Sequence, residues 1–296
     1  IVRGGFDTPL ARLLNPRDRR YFGGMTIPSL PLNDGHSIPQ LGLGTYGLWN
    51  EEGSAIVAGA VELGYRHIDT AARYENEEAV GEGIRRSGIA RSELFVTTKL
   101  DGEWQGNDLA VEGLAACLDR LGLDYVDLLL IHWPQPDRGL FVSTWQTFER
   151  LKAEGLTRSI GVSNFKPAHL EVLAAETGTV PAVNQIQLTP AIQRREQRAY
   201  DAAHGIVTES WSPIKGILDE KAVTDVAARV GRTSAQVVLR WHLQNGLVAI
   251  PKSGNLDRLA ANLEVTDFEL SAADLAELDT LDQGPDAGVD SDEFGH

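Results

Sequence analysis

Residues 125–134 read YVDLLLIHWP, an apolar stretch that ends in a histidine, a tryptophan and a proline. Its centre, residues 127–131, lacks the alternation that marks a strand with one face in water. A strand of this kind is covered on both faces, as in a parallel sheet wrapped by helices. The stretch therefore predicts an α/β fold with a parallel sheet.

Seven further β-rich runs accompany this one, and segments with helical spacing separate them. The eight runs are residues 40–46, 65–70, 94–99, 125–133, 158–163, 182–187, 206–211 and 247–252. Eight strand–helix units within about 250 residues are typical of a (β/α)8 TIM barrel. No linker or change of composition divides the chain, so we predict one barrel domain over residues 25–296.

Three segments are additions to this eightfold plan. Residues 26–40 carry Asn-Asp-Gly at positions 33–35, a strong hairpin signal, and we expect this hairpin to plug the N-terminal end of the barrel. Residues 234–244 and 271–281 have helical spacing and predict two extra helices.

The two ends of the chain read differently from the barrel. Residues 1–24 contain a basic run at 11–20 and precede Met25, the only methionine. They lack the apolar core of a secretory signal, and we expect a leader or a cloning remnant outside the fold. The stretch after Leu281 is rich in aspartate and glycine and is expected to form an acidic surface tail.

Charge and cysteine usage exclude several classes of function. The chain has 27 Lys and Arg against 42 Asp and Glu, a net charge of −15. Phosphate backbones and anionic lipids repel such a surface, so nucleic-acid and membrane partners are not expected. The single cysteine, Cys117, excludes an internal disulfide and indicates a reducing, cytoplasmic location. It lies on the apolar face of a helix predicted over residues 107–121 with Asn107 as its cap, so we expect a buried, inert thiol.

A glycine motif near the start resembles a dinucleotide fingerprint. Residues 42–47 read GLGTYG and match G-x-G-x-x-G. That motif needs a helix to begin within it, so that the pyrophosphate lies at the helix N-terminus. Here residues 48–53 intervene before a helix can start near Ser54, so the barrel explanation is preferred to a Rossmann site.

Polar residues lie at the C-terminal ends of three successive strands of the predicted barrel, or shortly after them. They are Asp69, Tyr74, Lys99 and His132. Because barrel active sites form at the C-terminal strand ends, we expect these four groups to meet at one mouth. A lysine ammonium favours the phenolate of a neighbouring tyrosine, which should lower the pKa of Tyr74 and make it a proton donor. Such a set can protonate a carbonyl oxygen while a hydride arrives from a cofactor.

Each of these residues alone also has a structural explanation, as a cap, a loop aromatic or a core histidine, and only their joint placement favours catalysis. His67 and Asp69 form an H-x-D pair of the kind that binds metals. No further paired histidines accompany them, so His67 is expected to pack locally and no metal site is predicted.

Four stretches together resemble the signatures of the aldo-keto reductase superfamily. They are residues 64–77 (GYRHIDTAARYENE), 128–134 (LLLIHWP), 161–165 (GVSNF) and 250–253 (IPKS). The resemblance runs from Thr26 to Leu281 and is greatest to the bacterial 2,5-diketo-D-gluconate reductase group. It implies an NADPH-dependent carbonyl reductase, with Tyr74 as the acid, Lys99 and Asp69 setting its pKa, and His132 orienting the carbonyl.

The resemblance also implies binding residues for the cofactor and the substrate. The cofactor residues are Ser163, Asn164 and Gln185 for the carboxamide, Trp211 for stacking on the nicotinamide, Ser212, Pro213 and Ile214 along the pyrophosphate, Ile250 at the end of the last strand, Lys252, Ser253 and Arg258 for the 2′-phosphate, and Asn262 for adenine. The residues expected to wall an aromatic substrate pocket are Tyr46, Trp49 and Trp133. We expect a monomer with a small-molecule carbonyl substrate.

One residue, one residue pair and one loop segment depart from the superfamily pattern. Ala261 replaces a frequent glutamate, Asp101-Gly102 replaces a common Trp-Asn pair, and residues 213–223 look short for the loop over the cofactor. The last two affect substrate choice and cofactor release rather than the chemistry. The main alternative function is a non-catalytic barrel of the same superfamily that acts as a cofactor-sensing or structural subunit. Such a barrel would tolerate loss of the catalytic residues. Here Asp69, Tyr74, Lys99 and His132 are all present, which favours an enzyme.

Overall fold

The computed structural model describes residues 27–294. The predicted leader at residues 1–24 and Met25 lie outside the described residues.

Eight parallel strands form the barrel sheet: β3 Leu43–Gly44, β4 His67–Asp69, β5 Phe95–Leu100, β6 Val126–Ile131, β7 Thr157–Ser163, β8 Val183–Gln187, β9 Val207–Trp211 and β10 Val248–Ile250. Their order in the sheet is β10-β9-β8-β7-β6-β5-β4-β3, so each strand pairs with its neighbour in the sequence. Each falls within or beside one of the predicted runs. The predicted (β/α)8 barrel is confirmed.

The barrel closes between its first and last strands. Leu41 forms a parallel bridge with Ala249, and the Gly44 amide donates to the Pro251 carbonyl at 3.1 Å. A Cβ atom on Gly44 would lie 2.8 Å from the Ile250 carbonyl oxygen, so only glycine permits this approach. The GLGTYG motif therefore closes the barrel wall and is not a phosphate loop.

Helices cover the outside of the sheet. They are α1 Asn50–Leu63, α2 Glu77–Ser87, α3 Asn107–Leu121, α4 Phe141–Ala153, α5 Pro167–Glu176, α6 Arg195–Ala203, α7 Lys221–Val230, α8 Ser234–Gln244, α9 Leu256–Leu263 and α10 Ala272–Asp279. Both α7 and α8 lie between β9 and β10, and α10 follows α9, so two helices exceed the eightfold repeat as predicted. None of the helices within residues 27–294 is long and apolar enough to cross a membrane.

Helix α3 matches its predicted bounds, but its predicted cap is wrong. Asn107 is the first helical residue and Gly106 takes the capping position, where its φ of 115° favours glycine. Cys117 is fully buried on the apolar face, as expected. Burial raises the pKa of its thiol, so the reactive thiolate is disfavoured.

A two-stranded hairpin covers the N-terminal end of the barrel, as predicted. Strands β1 Ser29–Pro31 and β2 Ser37–Pro39 pair antiparallel. Ile38 on β2 is fully buried among Phe95, Leu128 and Val183, which belong to barrel strands. The hairpin therefore fills the interior of the barrel at this end with apolar side chains, and barrel active sites form at the opposite, C-terminal end.

The acidic segment after α10 returns to that C-terminal end. Lys166 contacts the carboxylates of Asp290 and Asp292, each at 2.5 Å. The Phe294 ring lies 5.1 Å from the Trp133 ring, measured between centroids. The segment therefore contributes an aromatic side chain to the barrel mouth.

Candidate active site

The four predicted catalytic side chains meet at the C-terminal mouth of the barrel. Asp69 ends β4, Lys99 lies near the end of β5, and His132 follows β6. Tyr74 is the last residue of a 3-10 turn, Ala72–Tyr74, that begins just after β4. Parallel strands bring their carboxyl ends to one edge, which explains how positions far apart in the sequence converge.

The Lys99 ammonium group holds this arrangement together. Its side chain is fully buried, and Nζ donates to Asp69 Oδ1 at 2.6 Å and to the Thr70 carbonyl at 2.9 Å. Nζ also donates to Tyr74 Oη at 3.4 Å. Burial disfavours the ammonium, but Asp69, through its charge and its hydrogen bond, acts together with Tyr74 and Glu209 to outweigh this cost and raise the pKa of Lys99.

The predicted direction of the Tyr74 shift is wrong. Burial raises the pKa of Tyr74 above its usual value, and Lys99 opposes this increase without reversing it. The phenol therefore keeps its proton at neutral pH, which is the form that a proton donor needs. The sequence identified the effect of the lysine but not the larger effect of burial.

His132 is held as a neutral imidazole next to this phenol. Its ring centroid lies 5.9 Å from that of Tyr74. Burial, Lys99 and Arg73 together keep the pKa of His132 well below its usual value. Its Nδ1 has no hydrogen-bond partner among residues 27–294, and Asp101 Oδ1 lies 3.9 Å away.

The predicted carboxamide residues form one hydrogen-bonded group beside the tetrad. The Asn164 amide donates to the His132 carbonyl at 3.1 Å, and Trp211 Nε1 donates to Asn164 Oδ1 at 2.9 Å. Ser163 Oγ donates to the Gln185 carbonyl at 2.8 Å. Asn164 has a φ of 64°, a conformation that asparagine tolerates better than most residues. The network holds these side chains in place before any cofactor binds.

The predicted phosphate residues lie on neighbouring strand ends. Ser212, Pro213 and Ile214 follow β9, Ile250 ends β10 with Lys252 and Ser253 after it, and Arg258 and Asn262 lie on α9. Within the described part of the chain, Lys252 and Arg258 form no ion pair with a carboxylate, and both are exposed. Two uncommitted cations beside the start of a helix suit a phosphate dianion.

The three predicted aromatic residues surround the tetrad. Tyr46 and Trp49 are 65% and 50% exposed, while Trp133 is 7% exposed. The Tyr46 ring lies 5.3 Å from the Tyr74 ring, and Trp49 Nε1 donates to the Tyr74 carbonyl at 2.9 Å. Tyr46 and Trp49 therefore lie next to the phenol, and Trp133 lies beside His132.

Sequence reasoning missed two features of this site. Phe294 joins the rim through the C-terminal segment, and no local signal marks that contact. Glu209 is fully buried within β9, and a glutamate at the centre of a predicted strand was the available signal.

Glu209, His67 and Asp69 lie close together, and their ligand atoms fall within 4.8 Å of one another. Asp69 is already bound to the Lys99 ammonium, which would repel a metal cation. We therefore assign no metal to this group.

A phenol, a buried ammonium and a neutral imidazole at one barrel mouth suit the proton transfer of an oxidoreductase. The Aldo/keto reductase family model matches residues 40–283. The chain belongs to the aldo/keto reductase family, as its motifs predicted.

Relatives of this family cover nearly the whole chain. An aldo-keto reductase of Mycobacterium sp. (strain KMS) is 49% identical over 91% of this chain and 99% of the relative. Methylglyoxal reductase DkgA of Escherichia coli is 47% identical over 90% of this chain and 98% of that protein.

Solved structures agree with the fold. An aldo/keto reductase from Brucella melitensis superposes with a TM-score of 0.85 at 45% identity, covering 87% of this chain and 100% of that one. A variant of Gox0644 in complex with NADPH gives 0.87 at 42% identity, covering 91% and 99%.

Tyr74→Phe should lower the single-turnover rate of aldehyde reduction by about 10²–10⁴-fold, because a positioned acid is lost while the ring and its packing remain. The rate is measured at neutral pH from NADPH oxidation. Tyr125→Phe is the control, since Tyr125 lies at the opposite end of β6 and donates no proton to this site. A Tyr74→Phe variant that keeps more than about a tenth of the rate would show that another group supplies the proton.

Proposed function

We propose that this protein is an NADPH-dependent carbonyl reductase that converts aldehydes, ketones, α-dicarbonyls or keto-sugar acids to alcohols. The observation that carries the proposal is the contact of the Lys99 ammonium with both Asp69 and Tyr74 at the barrel mouth. It places a protonated phenol beside a fixed positive charge, and that charge stabilises the phenolate left after proton transfer.

Each member of the tetrad has a separate task. Tyr74 donates the proton to the carbonyl oxygen, and the neutral His132 ring orients that oxygen by a hydrogen bond. Lys99 stabilises the phenolate, and Asp69 keeps Lys99 charged and directed at Tyr74. NADPH supplies the hydride when it is bound.

The residues that would hold NADPH suit each part of it. Gln185 Oε1 receives no hydrogen bond from residues 27–294, so it can accept one from the carboxamide. Trp211 presents an indole ring, and Lys252, Ser253 and Arg258 surround the place of the 2′-phosphate. The NADPH complex of Gox0644, a relative that covers 91% of this chain, supports the same cofactor here.

A non-catalytic barrel is the second candidate function. Such a protein has no catalytic use for the Lys99 ammonium, which is fully buried. Burying a charged group costs free energy, so a buried lysine beside a tyrosine favours a catalytic role. Activity of the wild-type chain with NADPH and a reactive aldehyde decides between the two candidates.

Among the substrate classes named above, the rim favours the neutral carbonyl compounds over the keto-sugar acids, which are anions at neutral pH. Asp101 lies at the position where the superfamily commonly has tryptophan, and its carboxylate is 3.9 Å from His132 Nδ1. Arg73 contacts the same carboxylate at 3.3 Å, but its side chain is 49% exposed. Water and salt therefore screen its positive charge, and it neutralises the Asp101 carboxylate only in part. A substrate carboxylate next to His132 would be repelled. Methylglyoxal, which the relative DkgA is named for, is neutral and fits this rim.

We further propose that the protein acts as a cytoplasmic monomer. Its barrel closes through its own first and last strands and needs no partner for closure. Its one cysteine is buried, in keeping with a reducing compartment. Light scattering should give the mass of one chain, 32.2 kDa, and a multiple of that mass would contradict the proposal.

NADPH should bind more tightly than NADH by about 2 kcal/mol or more, because NADH lacks the phosphate that Lys252, Ser253 and Arg258 contact. Arg258→Ala should reduce this difference in binding free energy, because it weakens the binding of NADPH and leaves that of NADH unchanged. Quenching of tryptophan fluorescence measures both dissociation constants. Arg85→Ala on the outer face of α2 is the control. Equal affinities of the wild type for the two cofactors would overturn the assignment of the clamp.

Asp101→Asn should raise kcat/KM for glyoxylate about three- to tenfold and leave that for methylglyoxal nearly unchanged, because only the anion is repelled. The wild-type preference for methylglyoxal should also shrink as salt is added. Glu62→Gln removes the same charge from the exposed outer face of α1 and is the control. If both variants raise glyoxylate turnover equally, net charge rather than Asp101 sets the preference.

A further inference from the structure

The barrel interior holds a second buried carboxyl group, which the reduction chemistry does not use. Glu209 on β9 is fully buried. Its Oε2 accepts a hydrogen bond from Gln185 Nε2 at 2.8 Å, and its Oε1 has no hydrogen-bond partner among residues 27–294. Glutamate is seldom buried completely unless it is paired, so this position needs an explanation.

Gln185 lies between the two carboxyl groups. Its Nε2 donates to Asp69 Oδ2 at 2.8 Å as well as to Glu209 Oε2. The amide nitrogen has two hydrogens, so both are used. The reversed amide would place its carbonyl oxygen against the Asp69 carboxylate, which is unfavourable. The pair of acceptors therefore fixes which end of the Gln185 amide is left for a ligand.

On the basis of the proposed function, we propose that Glu209 is a positioning residue that acts through Gln185. It holds the second amide hydrogen of Gln185, so that the carbonyl oxygen of Gln185 is presented to the carboxamide of NADPH. In addition, Glu209 is a neutral acid in this scheme, so it adds no second negative charge next to the Lys99 ammonium, which is paired with the Asp69 carboxylate. Glu209 itself touches neither the substrate nor the reacting atoms in this scheme.

The second part of the proposal requires Glu209 to be a neutral acid. The titratable groups that surround it are His67 and Asp69 on β4, Lys99 on β5 and Tyr74 at the mouth, while β10 presents Val248 opposite it. Lys99 donates to Asp69 at 2.6 Å and not to Glu209, and its attraction for Glu209 is smaller than the opposing effects of burial and Asp69. An unpaired buried carboxylate is costly, and the acid therefore keeps its proton.

The direction of titration agrees with this geometry. Burial, together with repulsion from Asp69, raises the pKa of Glu209 to about 8. Burial lowers the pKa of His67 to about 3, so the imidazole 3.6 Å from Oε1 is neutral. Because Oε2 accepts from Gln185, the proton of Glu209 belongs on Oε1, the atom without another partner.

Ionisation of Glu209 above pH 8 would change the acid at the mouth. A second negative charge near Lys99 raises the pKa of Tyr74 and makes the phenol a weaker proton donor. Reduction by the wild type should therefore slow as the pH rises through about 8, partly because of Glu209. A residue that cannot ionise at this position should move that loss to higher pH.

Two variants separate the parts of the proposal. Glu209→Gln keeps an acceptor for Gln185 and cannot ionise, whereas Glu209→Leu removes the acceptor. Asp201→Asn is the matched control, because Asp201 is another fully buried carboxyl group whose partners include the amides of Gln197 and Asn184.

The dissociation constant of NADPH at pH 7, from tryptophan quenching, tests the positioning of Gln185. Glu209→Leu should raise it about fivefold or more, the size expected for one lost hydrogen bond, while Glu209→Gln and Asp201→Asn should stay within about twofold of the wild type. An unchanged constant for Glu209→Leu, or a Glu209→Gln variant as impaired as Glu209→Leu, would overturn the proposal.

Infrared spectroscopy of the cofactor-free protein tests the protonation even if Glu209→Leu does not fold. The wild type and Asp201→Asn should show the carbonyl stretch of a buried carboxylic acid at pH 7, lost near pH 8, and Glu209→Gln should lack it. Absence of that band from the wild type would refute the neutral acid. If the wild type shows the band but neither binds NADPH nor reduces aldehydes, the proposed function fails while the assignment of the proton remains.

The pH profile of kcat supplies the last comparison. In Glu209→Gln the alkaline loss of reduction should begin at a higher pH than in the wild type, with little change at pH 7. A profile that coincides with that of the wild type would show that the charge of Glu209 does not reach Tyr74.

Discussion

One buried positive charge organises the mouth of this barrel. The Lys99 ammonium has no contact with solvent, so every group that stabilises it must come from the protein. Asp69 neutralises it, the Thr70 carbonyl takes a second hydrogen, and the phenol of Tyr74 takes the third. The strand ends that carry these groups are held in register by the parallel sheet. Removing Asp69 would leave an uncompensated charge at the centre of the fold as well as a damaged site.

Much of the fold was predictable because its signals are local. Apolar runs such as residues 127–131 mark strands covered on both faces, and eight of them in one chain are consistent with few architectures. The position of Lys99 at a strand end followed from the same pattern. The net pKa shift of Tyr74 did not, because it depends on how much solvent the assembled barrel excludes. The N-cap of α3 was predicted at the wrong residue because glycine and asparagine are both favoured at this position, and Gly106 directly precedes Asn107.

The rest of the site could not be read from the sequence because it depends on contacts between distant segments. Phe294 reaches Trp133 only because the last segment crosses the barrel, with Lys166 contacting its aspartates. Glu209 is one of three polar residues in β9, and its role is visible only when Gln185 and Asp69 are placed beside it. In both cases the residue type was visible, and its partner, more than twenty positions away, was not.

The burial of Cys117 has a consequence for durability. Aldehydes and α-dicarbonyls are electrophiles that add to thiols, so a reductase that handles them risks being inactivated by its own substrates. This chain contains one cysteine, and that thiol is fully enclosed by α3 and its neighbours with its pKa raised by burial. The thiolate that an electrophile would attack is therefore disfavoured, and the side chain is shielded from solvent in the folded protein. As long as the barrel stays folded, its carbonyl substrates are therefore not expected to inactivate this enzyme by covalent modification of Cys117.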